Sequence, residues 1–401
     1  MKETIHTQCV VSGGGPAGIM LGYLLSRNGI DVVVLEKWPD FFRDFRGDTI
    51  HPSTMRALEE LELLEDFLKL PHSEMSRMKF HFGENEVTIA DFTKLSKVKP
   101  FIAFVPQWDF LDFLSTKAKE FGSFRLMMET EVTDFLIENG EKTGVLAKQK
   151  DNEFEINADY IVGADGRHST LREKGDFVVD ELGVPIDVLW FRISQEGIDK
   201  RESLGYMNKG HALIMLDRHD YWQCAYVIPK GEFDNIKKEG LEKFRETVSQ
   251  VGHISEKCVS EIDSWNKVKL LSVSVDHVRK WAIENVLLIG DAAHAMSPIG
   301  GVGINYAIQD AIATANILVP AIKESRRPVD VLGHVQRRRE APTRRMQKVQ
   351  IFLQNNLISP MLDPSKVTKM PLVFKLLEWF PVLRRIPTRI IGIGFQTEHI
   401  D

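Results

Sequence analysis

The sequence predicts a mixed α/β fold: a parallel sheet with a β-meander, a separate antiparallel-sheet domain, and helices at the C-terminus. Three observations predict it. Cys9-Val10-Val11-Ser12 stops at a glycine run and leads through a helical pattern to Asp31–Glu36, a compact β–α–β unit. From about Pro185 the texture changes to short, strand-like, aromatic-rich segments, the pattern of an antiparallel sheet. Val286-Leu287-Leu288-Ile289 then returns to the fully apolar pattern of a buried parallel strand.

Pro16 to Arg27 reads as a helix with Ile19, Leu21, Leu24 and Leu25 supplying apolar faces, closed by Asn28-Gly29 as a C-cap. Val32 to Leu35 is β-branched and apolar, hence a strand. His51 to Leu70 carries apolar residues at helical spacing, as does Trp108 to Lys119, and short alternating runs around Phe80 to Phe92 suggest strands between them. Glu131–Leu136, Thr143–Lys148 and Phe154–Ile156 form a meander pattern, followed by a buried strand at Tyr160-Ile161-Val162. Val188–Ile193, Ala212–Leu216 and Tyr221–Ile228 are the aromatic-rich strands, and Phe233–Val251 reads as one amphipathic helix. Ile304–Leu318 and the strongly basic Val329–Gln350 are helices, and short apolar helices punctuated by prolines follow.

The chain has 401 residues, enough for two or three structural units, and 43% apolar residues, enough for a substantial core. A net charge of −6 argues against a nucleic-acid partner. Cys9, Cys224 and Cys258 have neither metal-ligand nor disulfide-framework spacing, which suits reduced thiols and a cytoplasmic location. No basic-then-apolar leader precedes the first strand, and no apolar run reaches the roughly 18 residues of a membrane span.

Gly13-Gly14-Gly15-Pro16-Ala17-Gly18 fits G-x-G-x-x-G between a strand and a helix. Gly13 allows the tight turn, Gly15 lets backbone approach a pyrophosphate, and Gly18 lets helix and strand pack closely. The phosphate charge then meets the free N–H groups and positive dipole end of the helix. Glu36, with Lys37 beside it, ends the second strand, where an acid bonds a ribose hydroxyl. This unit alone does not separate FAD from NAD. The second segment is Gly163-Ala164-Asp165-Gly166-Arg167. In the third, Gly290-Asp291-Ala292-Ala293-His294 runs on to Pro298 and Gly300–Asn305. Asp291 is placed to accept from a ribityl chain, and Gly301, Gly303 and Ile304 open a helix whose N–H groups face the electron-rich end of a flavin. That favours FAD, and with it a Rossmann-type FAD-binding domain.

Together these segments resemble the single-component (class A) FAD-dependent monooxygenases, the para-hydroxybenzoate hydroxylase-like family, over roughly residues 8–350. Arg46-Gly47-Asp48-Thr49 resembles that family's flavin-contacting arginine segment, and Val105-Pro106-Gln107 the segment whose Arg or Gln reaches FAD. The resemblance implies that Asp165-Gly166 serves both FAD and the nicotinamide donor, so no separate NAD(P)H domain is expected. It assigns residues 1–75, 100–180 and 276–350 to the FAD-binding domain, 76–99 and 181–275 to a substrate-binding sheet domain, and 351–401 to a C-terminal helical segment. Val302 stands where relatives often carry a polar residue or lysine.

The implied reaction uses NADPH or NADH to reduce FAD. O2 then forms a flavin hydroperoxide that hydroxylates an aromatic or enolic apolar small molecule. Water must be excluded for this, and Trp190-Phe191, Tyr221-Trp222 and Tyr226 are candidates for an apolar roof, or plain core aromatics of the sheet. No catalytic side chain is assigned: His51 reads as a helix cap or surface group, and His294 as structural. The basic Gln336–Arg339 run with Arg344-Arg345 reads as a solvated or salt-bridging helix. The apolar-basic tail Leu372–Ile393 reads as packing on its own domain or in a dimer, with peripheral membrane contact as the other reading. The protein is expected as a monomer or homodimer. Two alternatives stand beside the monooxygenase. One is an FAD-dependent reductase of a polyprenyl or other lipophilic substrate, and the other a non-enzymatic redox-sensing flavoprotein. The halogenase motif W-x-W-x-I-P fails, because Cys224 and Tyr226 occupy its tryptophan places before Ile228-Pro229.

Overall fold

A computed structural model of the chain describes residues 3–42, 49–196, 203–363 and 370–401. Its first sheet is ordered Ala282–Ile283, Val286–Leu288, Asn152–Gly163, Glu3–Ser12, Val32–Leu35 and Phe124–Met127. From Val286–Leu288 to Phe124–Met127 the neighbours are parallel, with Cys9 opposite Val32 on one side and Tyr160 on the other. Val32–Leu35, Val286–Leu288 and the last four residues of Glu3–Ser12 and Asn152–Gly163 are buried on both faces, which is why they read as unbroken apolar runs rather than alternations.

Asn152–Gly163 is one strand, where the sequence suggested two. Its first half pairs antiparallel with Glu141–Gln149, which pairs in turn with Thr130–Glu138; its last three residues pair parallel with Val286–Leu288. A single strand therefore carries the meander at one end and delivers Gly163 to the centre of the parallel sheet at the other.

Pro16–Arg27 is the expected helix, with Pro16 at its first position and Gly29 in the left-handed region just after it. It is buried nearly all round, as a helix between a sheet and other helices must be. Two expected helices are broken at residues with positive φ. Pro52–Glu60 ends before Glu62, which adopts φ +61, and Leu64–Phe67 is a separate turn. Phe233–Glu239 and Leu241–Gly252 are separated by Gly240 at φ +98. Apolar spacing runs through both breaks, so periodicity alone could not reveal them.

The second sheet is ordered Lys269–Leu271, Ile186–Ser194, Tyr221–Pro229, His211–Asp217, Ser203–Asn208, Arg77–Phe82 and Asn85–Asp91, antiparallel except where Ser203–Asn208 meets Arg77–Phe82. Leu189, Phe191, Leu213, Trp222, Cys224 and Tyr226 share one core with Phe233, Phe244 and Val248 of the covering helices. Trp190, Ala225 and Ile214 point the other way, into a cluster with Val273, Val275 and Ile351. That second face is the one turned toward the Pro298–Gly301 turn, since Ile299 packs with Ala212 and Val227.

Candidate functional site

The turn after the first strand is fixed by backbone contacts. Gly13 adopts φ +106 and donates its N–H to the Leu35 carbonyl at 2.8 Å. A Cβ on Gly13 would lie 2.4 Å from the Ala164 oxygen, and one on Gly18 would lie 1.9 Å from the Gly13 oxygen. Gly15 differs, because a Cβ there meets nothing within 4 Å. Two of the three fingerprint glycines are thus demanded by packing. The third opens a cradle beside a helix N-terminus, whose first residue, Pro16, has no N–H to satisfy. A pyrophosphate fits that cradle by charge and by space.

Glu36 is buried behind the turn. Its Oε2 accepts from the Gly14 N–H at 2.9 Å and its Oε1 from the Trp38 N–H at 3.1 Å. Each carboxylate oxygen accepts more than one bond, so the acid is oriented but not saturated by these two. Lys37 is exposed next to it, with its ammonium 5.7 Å from the Trp38 ring centre. Gln107 is the first residue of helix Gln107–Ala118, and Phe121, just beyond that helix, makes an edge contact with Tyr23 of the fingerprint helix at 5.7 Å. Arg46 lies outside the described residues.

The second motif touches the first directly. The Ala164 N–H donates to the Ser12 carbonyl at 2.7 Å, and the Ser12 hydroxyl donates to Asp165 Oδ2 at 3.4 Å. Asp165 Oδ2 also accepts from the Thr170 N–H at 2.9 Å, while its buried Oδ1 has no partner among the described residues. Burial pushes the Asp165 carboxyl above the usual range, against the pull of the Ser169 side chain and the Leu171 and Thr170 N–H groups. The third motif closes the ring. A Cβ on Gly290 would lie 3.4 Å from that of Ala17, and Asp291 Oδ2 pairs with Arg167 Nε at 3.2 Å. Three segments far apart in sequence therefore meet at one place.

The glycine turn that follows Asp291 is held from two sides. On one, the Thr49 hydroxyl donates to the Gly301 carbonyl at 2.8 Å, and Asn305 Nδ2 donates to the Thr49 carbonyl at 2.9 Å. Asn305 Oδ1 accepts from the His51 N–H at 2.9 Å and the Thr54 hydroxyl at 2.7 Å. Gly301 has φ +62 and abuts Thr49, Gly303 begins helix Gly303–Lys323, and Ile304 is buried behind it. On the other side stand three glutamines that sequence reading missed. Gln347 Nε2 donates to the Asp276 and Ala295 carbonyls at 2.7 and 3.0 Å. Gln350 Nε2 donates to the Ser297 and Ile299 carbonyls, both at 2.9 Å. Gln354 Nε2 donates to the Ser297 hydroxyl at 2.8 Å. Their 347–350–354 spacing puts them on one face of helix Gly333–Leu353 and the π-turn that extends it. Three glutamines recurring at helical spacing in an otherwise basic helix were the available signal.

His51 is the N-cap residue of helix Pro52–Glu60, as expected, but it is buried rather than at the surface. Its Nδ1 lies 2.7 Å from the Ile391 carbonyl. Burial pushes the imidazole down to about 4, only partly offset by that bond. Between that value and the ordinary pKa near 6.5 the unfolded chain binds more protons, so stability is complete above about pH 6.5 and falls as pH drops toward 4, by about 3 kcal/mol in all. Denaturant melts at neutral and mildly acid pH should show this loss, and His51→Gln should flatten it.

His294 is structural, as read. Its Nε2 lies 2.5 Å from Asp310 Oδ2, which also accepts from the Gly290 N–H at 3.1 Å. The basic run divides: Arg337, Arg344 and Arg345 are exposed, whereas Arg339 is fully buried, with Nε 2.9 Å from Asp310 and Nη1 3.3 Å from Glu398. Of the aromatics considered as a roof, Phe191, Trp222 and Tyr226 face the covering helices and are core residues of that layer. Trp190 lies on the opposite face, and Tyr221, by alternation, shares it.

The fold and these converging motifs define an FAD-dependent oxidoreductase. The FAD binding domain family matches residues 6–349. The 6-methylpretetramide 4-monooxygenase of Streptomyces rimosus is 28% identical over 394 residues, 98% of this chain and 93% of that protein. The p-nitrophenol 4-monooxygenase PnpA from Pseudomonas putida DLL-E4 superposes with a TM-score of 0.78 at 19% identity, over 98% of this chain and 100% of that one. The anhydrotetracycline hydroxylase OxyS from Streptomyces rimosus gives 0.77 at 22% identity, over 97% of this chain and 76% of that one. These two structures establish the fold alone. The chain belongs to the FAD binding domain family and is an FAD-dependent monooxygenase. Among the described residues, no helix is long and apolar enough to cross a membrane.

Proposed function

We propose that the protein uses NADPH or NADH and O2 to hydroxylate an electron-rich carbon of an apolar aromatic or enolic small molecule. The observation that carries this reading is the meeting of the three motifs around the Gly15 cradle. In it, Gly13, Gly15, Pro16, Ala17 and Gly18 hold the pyrophosphate. Glu36 takes a ribose hydroxyl, and Lys37 and Gln107 flank the cofactor. Asp165 and Asp291 bind its sugar-like hydroxyls, and Gly301, Gly303 and Ile304 present N–H groups to the ring. Bound FAD supplies the redox and oxygen chemistry.

The chain's own part is binding, orientation and exclusion of water. The sheet face bearing Trp190, Ile214 and Ala225 supplies an apolar wall opposite the Pro298–Gly301 turn. Residues 76–99 and 181–275 form the substrate-binding part in this reading. His51 is kept neutral and tied to Ile391, so it positions the turn rather than moving a proton. Activation is left to the substrate's own hydroxyl or enol. Near-complete coverage of a relative named as a 6-methylpretetramide 4-monooxygenase supports an aromatic substrate. Three buried, unpaired cysteines support a cytoplasmic setting.

Purified protein should be yellow, and a screen of phenols, quinolones and polyketides should find compounds that accelerate NAD(P)H oxidation and are hydroxylated only in air. Product formed without oxygen would instead support the reductase. The glutamine contacts make a finer prediction. Gln350→Leu leaves the Ser297 and Ile299 carbonyls without their donor, at about 1–3 kcal/mol each where they stay buried. The expected outcome is a looser ring site, measured as a larger share of NAD(P)H consumed without hydroxylated product.

A further inference from the structure

We infer that the surface formed by helix Leu372–Trp379 and the following turn docks on an anionic lipid membrane. The helix is apolar on two sides. Phe374 and Leu377 are buried against the second sheet, with the Phe374 and Phe82 rings 4.5 Å apart. The other side carries Leu372 at 64% exposure, Val373 at 48%, Trp379 at 62% and Phe380 at 53%, continued by Val382 at 62% and Ile386 at 60%. Fourteen large hydrophobics are exposed among the described residues, and six of them fall in this short stretch, which makes it a patch rather than scatter.

Charge selects the occupant. Residues 370–393 hold Lys375, Arg384, Arg385 and Arg389 against the single acid Glu378, in a chain whose net charge is −6. A second copy would bring a patch with four cations and one acid onto an identical net-basic patch, because a two-fold interface uses the same surface on both copies. An anionic headgroup layer meets the cations while its acyl boundary takes Trp379, Phe380 and Leu372. The surface is also tied to the site. Leu383 packs in the cluster that contains Ile299, and the Ile391 carbonyl holds His51. Lipid docking therefore places an apolar substrate dissolved in the membrane at the outer wall of the site.

The test uses the full-length flavoprotein and sedimentation with phosphatidylcholine vesicles made with and without phosphatidylglycerol. Binding is expected to the anionic vesicles, about tenfold or more weaker to the neutral ones, and weakened by a similar factor in the double variant Trp379→Ser, Phe380→Ser. Both residues are exposed, so the variant should keep its melting temperature and flavin spectrum. Absence of binding to anionic vesicles, or undiminished binding by the variant, would overturn the inference. So would a lipid-free homodimer in sedimentation velocity that the double variant dissociates, since the patch would then be an interface between copies.

Discussion

Gly15→Val is expected to give a folded protein that no longer holds FAD. Gly15 has φ −75 in extended backbone, which valine adopts without strain, and its Cβ direction is clear of protein atoms to 4 Å. Stability should change by about 1 kcal/mol or less, with some gain from a stiffer unfolded chain. The valine side chain would occupy the cradle against which a pyrophosphate must lie, so FAD affinity should fall at least about 100-fold, near 2.7 kcal/mol. Gly18→Ala is the contrast. Its methyl would lie 1.9 Å from the Gly13 oxygen, so it should lower the melting temperature even without cofactor. A fluorescence titration with FAD beside a thermal melt separates the two outcomes.

The second large effect is on stability. The side chains of Arg339, Asp310 and Glu398 are at most 1% exposed, and Arg339 bonds both acids as well as the Gln396 carbonyl at 3.2 Å. Arg339→Ala leaves the buried Asp310 with His294 alone and Glu398 with Arg338 alone, and should cost about 3 kcal/mol. Burial alone would raise the Asp310 carboxyl, but His294 and Arg339 together hold it below its usual range. A depressed folded pKa stabilises the protein above the ordinary carboxylate value, and that share is lost as pH falls through the folded pKa. In Arg339→Ala the Asp310 carboxyl is less depressed, so this acid-induced loss should be smaller and stability should depend less on pH below the ordinary carboxylate value. Because Asp310 also accepts the Gly290 N–H, the variant should bind FAD less tightly even where it remains folded. Melts across pH and an FAD titration at neutral pH check both parts.

The parallel strands and the three glycine-bearing segments that meet in the structure were legible in the sequence because each is local. A short apolar run ending at glycine has few other readings, and the spacing of Gly13, Gly15 and Gly18 is contiguous. What was not legible depends on direction or on distant partners. The aromatic-rich pattern located strands at Val188–Ile193 and Tyr221–Ile228, observed as Ile186–Ser194 and Tyr221–Pro229, but not which face would meet the Pro298–Gly301 turn. Phe191, Trp222 and Tyr226 therefore went to the helix-covered core. Arg339 sits in an Arg337-Arg338-Arg339 run that reads as solvated or salt-bridging, and nothing local says which arginine is buried, because its acid partners are 29 and 59 residues away. Gln347, Gln350 and Gln354 are ordinary surface residues by composition. Only the helix register shows that they face the backbone of Asp276 and Ala295–Ile299.

The most direct test of the account is titration of the purified apoprotein with FAD, followed by flavin fluorescence and absorbance, for the wild type and Gly15→Val side by side. The account predicts stoichiometric uptake by the wild type and none by the equally folded variant. A folded wild-type protein that takes up no FAD, or a variant that takes it up as tightly, would contradict it.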